Sequence, residues 1–533
     1  MQLTIESMMY GPDGLAHDDA GKAVFVAGGL AGDTVEAEII EEGTSFSRAR
    51  VRSVLAPSPD RVEPPCPLVD VCGGCPWARL SRPAQLAAKE ENLRSSLERI
   101  GKFSRDEVEA LVRPIRHAKD AWGYRNKIEL APTQVGGRFR LGMHGRGGED
   151  IVLVDACPLF ERKFSKAVKG VVGALGYLGN SRDLELERVG IRASRRTGAL
   201  EVALWTPTGG FPRAQVSRVL TDALKPTSVV RVMSKGDRRA RRVSGVEALA
   251  GEGSWTERIG SEAMRLSAPS FFQVNTAAAE ILIELVMDAL APAEHEVAVD
   301  LYSGAGTFTL PLARRASWVA AVEAYGPAVR DLRRNLEIAG LDNVDVIGGD
   351  AVREFPDEEA DVLVVDPPRA GLAPEAVRLI SRTAARDVAY VSCDPATLAR
   401  DLRRFVEEGV FAPVAATPVD LFPQTFHAET VAVLSRKSAS KSFIPVSISP
   451  KDMGLSEEKD QPTYANIRDY VQKTHGMKVS SLYVAQMKAE CGLETQADRS
   501  GDKKQPKCPP EKREAILDAF RHFGLIGEDG TEE

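Results

Sequence analysis

Long apolar runs are missing from this chain. No stretch reaches the roughly 18 consecutive apolar residues that a membrane-crossing helix needs, so no membrane span is expected. The opening residues, MQLTIESMMYGPDG, lack a basic segment followed by an apolar one, and a secretory leader is not expected. A cytoplasmic location follows as the expectation. Cysteine is scarce and odd in number, seven in 533 residues, which argues against a disulfide framework in such a compartment. Positive charge is not in excess either: 69 basic residues stand against 76 acidic ones, a net charge of −7. That balance argues only weakly against a nucleic-acid partner, because phosphate contact needs no more than a local basic surface. Two local runs are dense in positive charge. One holds Lys235, Arg238, Arg239, Arg241 and Arg242, the other Arg192, Arg195 and Arg196. Each reads equally well as a solvated face. No internal repeat is present.

What remains is the profile of a soluble globular protein, 43% hydrophobic and 27% charged, with length for about three or four domains. Residues 1–56 read as short strands broken by glycines. The run 48–55 alternates cleanly, with Arg48, Arg50 and Arg52 on one face, and a small antiparallel barrel is expected. The prolines of 57–65 mark a linker. A helix is expected over 83–100, and a β-rich, glycine-rich unit fills out 57–267. From 268 to 437 strands and helices alternate, which predicts a parallel sheet. The apolar runs 297–301, 318–322, 362–366 and 388–392 suit strands buried on both faces. A polar linker is expected at 438–460. A helical appendage follows at 461–533, two helical pieces around a charged loop, 498–507, with helical spacing at 464–473 and 481–491.

The segment DLYSGAG at 300–306 follows one apolar strand and precedes a helix. Glycines at such a turn let a ligand approach the backbone closely. Three further acids fall at successive strand ends: Glu323, Asp350 and Asp366. Carboxyl ends of strands form the ligand crevice of an open α/β sheet, and Glu323 stands where ribose hydroxyls are bound in nucleotide sites. The turn carries no P-loop lysine and no full GxGxxG. The set therefore fits S-adenosylmethionine better than a phosphate-bearing cofactor.

Cys393 directly follows the last apolar strand and precedes a helix, a place where the helix dipole favours thiolate. The same position suits a buried structural thiol. Pyrimidine chemistry tilts the balance between the two readings. Carbon 5 of uracil is a poor nucleophile until a thiolate adds at carbon 6, and a base must then remove the carbon-5 proton. Glu429, just before an apolar strand, offers such a base, or else a solvent-facing carboxylate.

At these residues the chain resembles the RNA uracil-5 methyltransferases, the class that includes the 23S ribosomal RNA enzymes and the tRNA ribothymidine-forming enzyme. The resemblance rests on FFQVN at 271–275, DLYSGAG at 300–306, DPPRAG at 366–371, SCDPATL at 392–398 and FPQTFHAE at 422–429. It implies a Rossmann-like class I α/β methyltransferase domain over 268–437. It also implies donor contacts from Gln273, Tyr302, Thr307, Glu323 and Asp350, and a donor or substrate role for Asp366. Cys393 becomes the nucleophile and Glu429 the base. The segments YGPDGLA at 10–16, Phe25-Val26 and Gly32-Asp33 resemble the OB-like TRAM barrel of the ribosomal RNA branch, with Ala31 in place of a common proline.

Cys66, Cys72 and Cys75, with Cys157 distant, do not have the paired spacing of a zinc ribbon. Four thiolates also suit an iron–sulfur centre, and the spacing is similar to the [4Fe-4S] site of the ribosomal RNA branch. Structural thiols and zinc remain as readings. Barrel and cysteines together imply 23S ribosomal RNA as the substrate, with a tRNA uridine as the alternative, and a β-rich central domain that binds RNA. An RNA-binding protein with an inactive methylase site is a further reading, opposed by the intact Cys393 and Glu429. An adenine amino-methylase is opposed by Asp366-Pro-Pro-Arg369 in place of Asn-Pro-Pro-Tyr. Residues 461–533 lie outside the resemblance, and their helix–turn–helix-like rhythm fits RNA docking or a packing appendage equally.

Overall fold

The apolar runs of 297–392 assemble into the centre of one eight-stranded sheet. In the computed structural model its order is Val344–Gly348, Trp318–Glu323, Val297–Leu301, Val362–Val365, Asp387–Ser392, Glu429–Arg436, Phe411–Asp420 and Arg116–His117. The first five strands run parallel, and Glu429–Arg436 is antiparallel to both its neighbours. Residues 1–148, 150–236, 242–356, 359–437, 462, 464–477, 479, 481–493 and 508–527 are described. Alternate side chains enter two separate cores, as the pleat requires. Val299, Leu301, Leu363, Val365 and Tyr390 point to one face, and Ala298, Val362, Val364, Ala389 and Val391 to the other.

The second face is covered by the helix Thr276–Leu290 through Leu282, Val286 and Leu290. The first is covered by Pro374–Arg382 and Pro395–Glu408, and also by two helices from far earlier in the chain. Arg82–Arg99 contributes Leu93 and Leu97, and Arg105–Leu111 contributes Val108 and Leu111. With the edge strand Arg116–His117, residues 82–117 thus build the eight-stranded sheet rather than the central β-rich one.

The central unit is a seven-stranded sheet ordered Ile151–Leu153, Arg138–His144, Lys127–Val135, Arg188–Ala193, Leu200–Pro207, Ser228–Lys235 and Arg242–Gly251. Helices Ala167–Gly179 and Arg213–Leu224 pack on it. Within the run Arg192–Arg195–Arg196 only Arg192 is buried, while Arg195 is exposed and Arg196 half-buried, each in an ion pair. Arg192 is buried and donates to the carbonyls of Ser267 and Ser270, Arg195 pairs with Asp120, and Arg196 forks onto Glu280. Most of the other basic run, 237–241, lies outside the described residues, as does the expected linker 438–460 and the charged loop 498–507.

Residues 2–56 form a curled six-stranded sheet around Leu3, Ile5, Val24, Val26, Val35 and Ala49. On its basic face Arg50 and Arg52 share Glu38, each at 2.6 Å, and both stay exposed. Buried Asp33 accepts from the Leu30 and Ser58 backbone and from Arg61, which fixes the barrel to the following segment. The appendage has three described helices, Tyr464–His475, Ser481–Glu490 and Pro510–His522, around Ile467, Val484, Ile516 and Phe520. Arg468 lies 5.3 Å over the Trp318 ring, at the start of its strand and therefore at the end of the sheet opposite the strand termini that hold the acids. Among the described residues no helix is long and apolar enough to cross a membrane.

Candidate active site

The turn after Val297–Leu301 is forced into left-handed backbone. Tyr302 has φ 65°, unusual for a residue with a side chain, and Gly306 has φ 103°. A β-carbon at Gly306 would lie 2.4 Å from a Leu310 methyl and 2.7 Å from a Leu332 methyl, so only glycine fits. The turn is held by Glu323, whose two carboxylate oxygens accept from Gly304 N at 2.9 Å and Tyr325 N at 2.6 Å. Asp350 is exposed and spends one oxygen on the Val352 and Arg353 N–H groups. Thr307 lines a cavity of about 410 Å³ with Ile283, Met287, Pro311 and Arg314.

Carboxylates crowd this end of the sheet. Burial pushes Asp300 up to about 8 against its Thr309 hydrogen bond, and Asp366 and Glu323 add to the rise. Loss of water, then Glu323, lifts Asp366 to about 7. Asp300 Oδ1 and Gln273 Oε1 are buried with no hydrogen-bond partner among the described residues. Unpaired acids and orphaned acceptors at one crevice suit a cationic ligand with donor groups, which describes the sulfonium and amine of S-adenosylmethionine. Gln273 is held from the central sheet, where Asn126 Nδ2 donates to its carbonyl at 2.9 Å.

Strand register brings Cys393 and Glu429 together. Ser392 lies opposite Thr430 on the adjacent antiparallel strand, so the residues just beyond, Cys393 and Glu429, meet at the same edge. Glu429 is buried and raised well above the usual carboxylate range, by burial first and then by Asp366, with Arg369 opposing. Cys393 is half-buried. The expected dipole effect does not dominate there. Asp394 caps the helix by accepting from Ala396 N and Thr397 N, and burial with Glu429 pushes the thiol up to about 11 against Arg369. A raised thiol pKa leaves little thiolate at neutral pH. Alkylation of Cys393 by iodoacetamide is therefore expected to climb about tenfold per pH unit from about pH 7 to about pH 10. A plateau already reached near pH 9 would show the thiol to be unshifted, and one near neutrality would show it lowered.

The loop carrying Glu429 is gripped from three directions. Buried Lys89 pairs with buried Asp420 and donates to the Phe422 carbonyl at 3.0 Å, and Arg82 also reaches Asp420 at 2.7 Å. Gln85 and Gln424 exchange two hydrogen bonds of 2.9 Å. Tyr124 donates to the Pro423 carbonyl at 3.1 Å, and Trp77 N to the Gln424 carbonyl at 3.1 Å. These bonds hold Gln424 at φ 71°, a conformation that persists only when its surroundings impose it. Sequence reasoning missed Lys89, Gln85, Asn126, Arg369 and His427 as parts of the site. Arg369 and His427 sit inside quoted motifs, whereas Lys89 had no signal beyond being a charge on the apolar face of its helix.

Cys66, Cys72, Cys75 and Cys157 line one cavity of about 510 Å³ with Arg125, Met143 and Gly145. Burial, with the three other thiols, pushes Cys75 up to about 12. Among the described residues no three His, Cys, Asp or Glu side chains stand close enough to hold one metal ion.

The model of the tRNA (uracil-5-)-methyltransferase family matches residues 260–437. An uncharacterized RNA methyltransferase of Gloeobacter violaceus is 34% identical over 446 residues, covering 81% of this chain and 95% of the relative. One from Thermotoga maritima is 33% identical over 443 residues, covering 81% and 98%. The crystal structure of Pyrococcus abyssi tRNA (uracil-54, C5)-methyltransferase in complex with S-adenosyl-L-homocysteine superposes with a TM-score of 0.63 at 26% identity, over 81% of this chain and 99% of that one. With the acid-lined crevice and the Cys393–Glu429 edge, these matches place the chain in the RNA uracil-5 methyltransferase family, the S-adenosylmethionine-dependent enzymes that methylate carbon 5 of uridine in RNA.

Proposed function

We propose that this enzyme methylates a uridine of 23S ribosomal RNA, with Cys393 as covalent nucleophile and Glu429 as the base. The observation that carries the mechanism is the strand register that sets Glu429 beside Cys393 at the acid-lined crevice. S-adenosylmethionine supplies an electrophilic methyl group. Its donor would be held by Gln273, Tyr302, Glu323, Asp350 and Asp366, with Thr307 in the turn. The Cys393 thiol gives up its proton to water, and its sulfur then forms a bond to carbon 6 and shifts the ring electrons onto the carbon 5–carbon 4 enolate. Carbon 5 then takes the methyl group as the donor's sulfur–methyl bond breaks, with S-adenosylhomocysteine as the leaving thioether. Glu429, which its raised pKa makes a stronger base once ionised, removes the carbon-5 proton, the carbon 6–sulfur bond breaks, and the electron pair returns to Cys393. Burial keeps water from quenching the enolate.

The ribosomal assignment rests on the barrel, read as a TRAM-like RNA-binding module, and on the four cysteines. Cys66, Cys72, Cys75 and Cys157 would hold a [4Fe-4S] cluster, whose several irons span a wider gap than a single ion does. Such a cluster would tie the 66–80 segment, and through Trp77 the Gln424 loop, to the central sheet. A tRNA uridine is the second reading, favoured by the likeness to the Pyrococcus abyssi tRNA (uracil-54, C5)-methyltransferase. Anaerobically purified enzyme offered unmodified 23S RNA and tRNA separates the two by nucleoside mass spectrometry. 5-Methyluridine in 23S RNA is expected; its appearance in tRNA alone would move the substrate to the second reading.

A further inference from the structure

We propose that Tyr10, carried by the N-terminal barrel, is a positioning residue for the reaction: it fixes the Cys393 carbonyl and the tautomer of His427. The inference rests on the nucleophile role given to Cys393.

Tyr10 lies in the barrel loop between Ser7–Met8 and Gly14–His17. Its hydroxyl stands 3.1 Å from the Cys393 carbonyl oxygen and 3.3 Å from His427 Nδ1. Its ring meets Phe426 edge to face at 5.4 Å between centroids. The loop is latched beside it, since Trp77 Nε1 donates to the Gly11 carbonyl at 3.0 Å. Met8, Leu30, Trp77 and Leu80 pack together there with Phe426 against them. A barrel side chain therefore touches both segments that carry the proposed chemistry.

The two contacts determine each other. A carbonyl oxygen only accepts, and a phenol has one proton. The Tyr10 proton goes to Cys393, so the phenol oxygen must accept from His427. His427 then carries its proton on Nδ1 and leaves Nε2 as an acceptor. Burial, with Arg369 and Lys89 nearby, holds His427 down to about 4, so the ring is neutral and has only one proton to place. The barrel thus does more than capture RNA. It sets the backbone from which the nucleophile projects and the hydrogen-bonding polarity of a histidine two residues from Glu429.

Tyr10→Phe tests this, because it keeps the ring against Phe426 and removes only the hydroxyl. Methylation kinetics, adduct formation with 5-fluorouridine RNA and ¹⁵N spectra of histidine-labelled enzyme are measured on it. Cys393→Ala runs in parallel. KM for RNA is expected to stay within about twofold, while kcat and the adduct rate fall roughly ten- to a hundredfold, the scale of a small misplacement of a reacting group. The His427 signal is expected to move from the Nδ1–H to the Nε2–H tautomer. A loss confined to KM would reduce Tyr10 to RNA capture and overturn the inference. So would wild-type kcat with an unchanged tautomer, provided Cys393→Ala is inert. If Cys393→Ala still forms the adduct, the nucleophile assignment falls, and this inference with it. If Tyr10→Phe unfolds more readily, the tautomer shift read at low temperature still decides the point.

Discussion

Cys393→Ala is expected to lower kcat for uridine methylation by roughly four orders of magnitude or more, the scale on which losing a covalent nucleophile acts. Such a drop corresponds to about 5.5 kcal/mol of transition-state stabilisation. The cause is electronic: without sulfur at carbon 6, the uracil ring offers no enolate to attack the methyl group. KM for RNA should change by no more than about threefold, since only one half-buried sulfur is removed. The stable complex with 5-fluorouridine RNA should vanish as well. Turnover within about tenfold of wild type would refute a covalent mechanism at this residue.

Glu429→Gln should behave differently and more informatively. Addition and methyl transfer precede the step that needs the base. The variant is expected to take up one labelled methyl group and then stall, with RNA joined to Cys393 and the carbon-5 proton still in place. Release of free 5-methyluridine RNA should fall by roughly a thousandfold, within the range for a lost general base. The fold should tolerate the change. Glu429 is buried with its pKa held high, so a neutral amide of the same shape replaces a group that burial already drives towards its neutral form. Denaturation curves close to wild type, together with a methylated covalent complex on denaturing gels, would mark success. Free product at the wild-type rate with no trapped complex would remove Glu429 from the role.

The parallel strands were legible in the sequence because a strand buried on both faces must be largely apolar, and 297–301, 362–365 and 388–392 are, apart from Asp300 and Ser392 near their carboxyl ends. The helix expected at 83–100 is Arg82–Arg99, fixed by Ser81 as its cap and Arg82-Pro83 at its start. Its destination was not legible. Leu93 and Leu97 show that one face is buried but not against which sheet, and the two-residue strand Arg116–His117 is too short to leave a periodic signal. The third helix of the appendage, Pro510–His522, was folded into a general expectation of helical pieces, although its proline start follows the rule for first turns. In the site, the residue types were readable because the motifs are dense. The grip on the Phe422–Glu429 loop was not readable, because Lys89, Gln85 and Tyr124 become partners only through tertiary folding. Arg192 was not legible for a related reason: an arginine inside a run of positive charge looks free until its acceptors, which lie up to 78 residues away, fold over it.

The grip on that loop also sets an order in time. Tyr10 meets Cys393 and His427 across 383 and 417 positions, and Gln85 meets Gln424 across 339. A chain made from its N-terminus finishes the barrel and the central sheet long before the ribosome delivers residues 422–429. Those early parts wait with their contact points exposed, and closure over such distances is slow. The nascent chain therefore holds a folded barrel and central sheet with no working methyl-transfer centre until nearly all of residues 1–437 have been synthesised. A ribosome that stalls earlier leaves a fragment unable to alkylate the RNA around it.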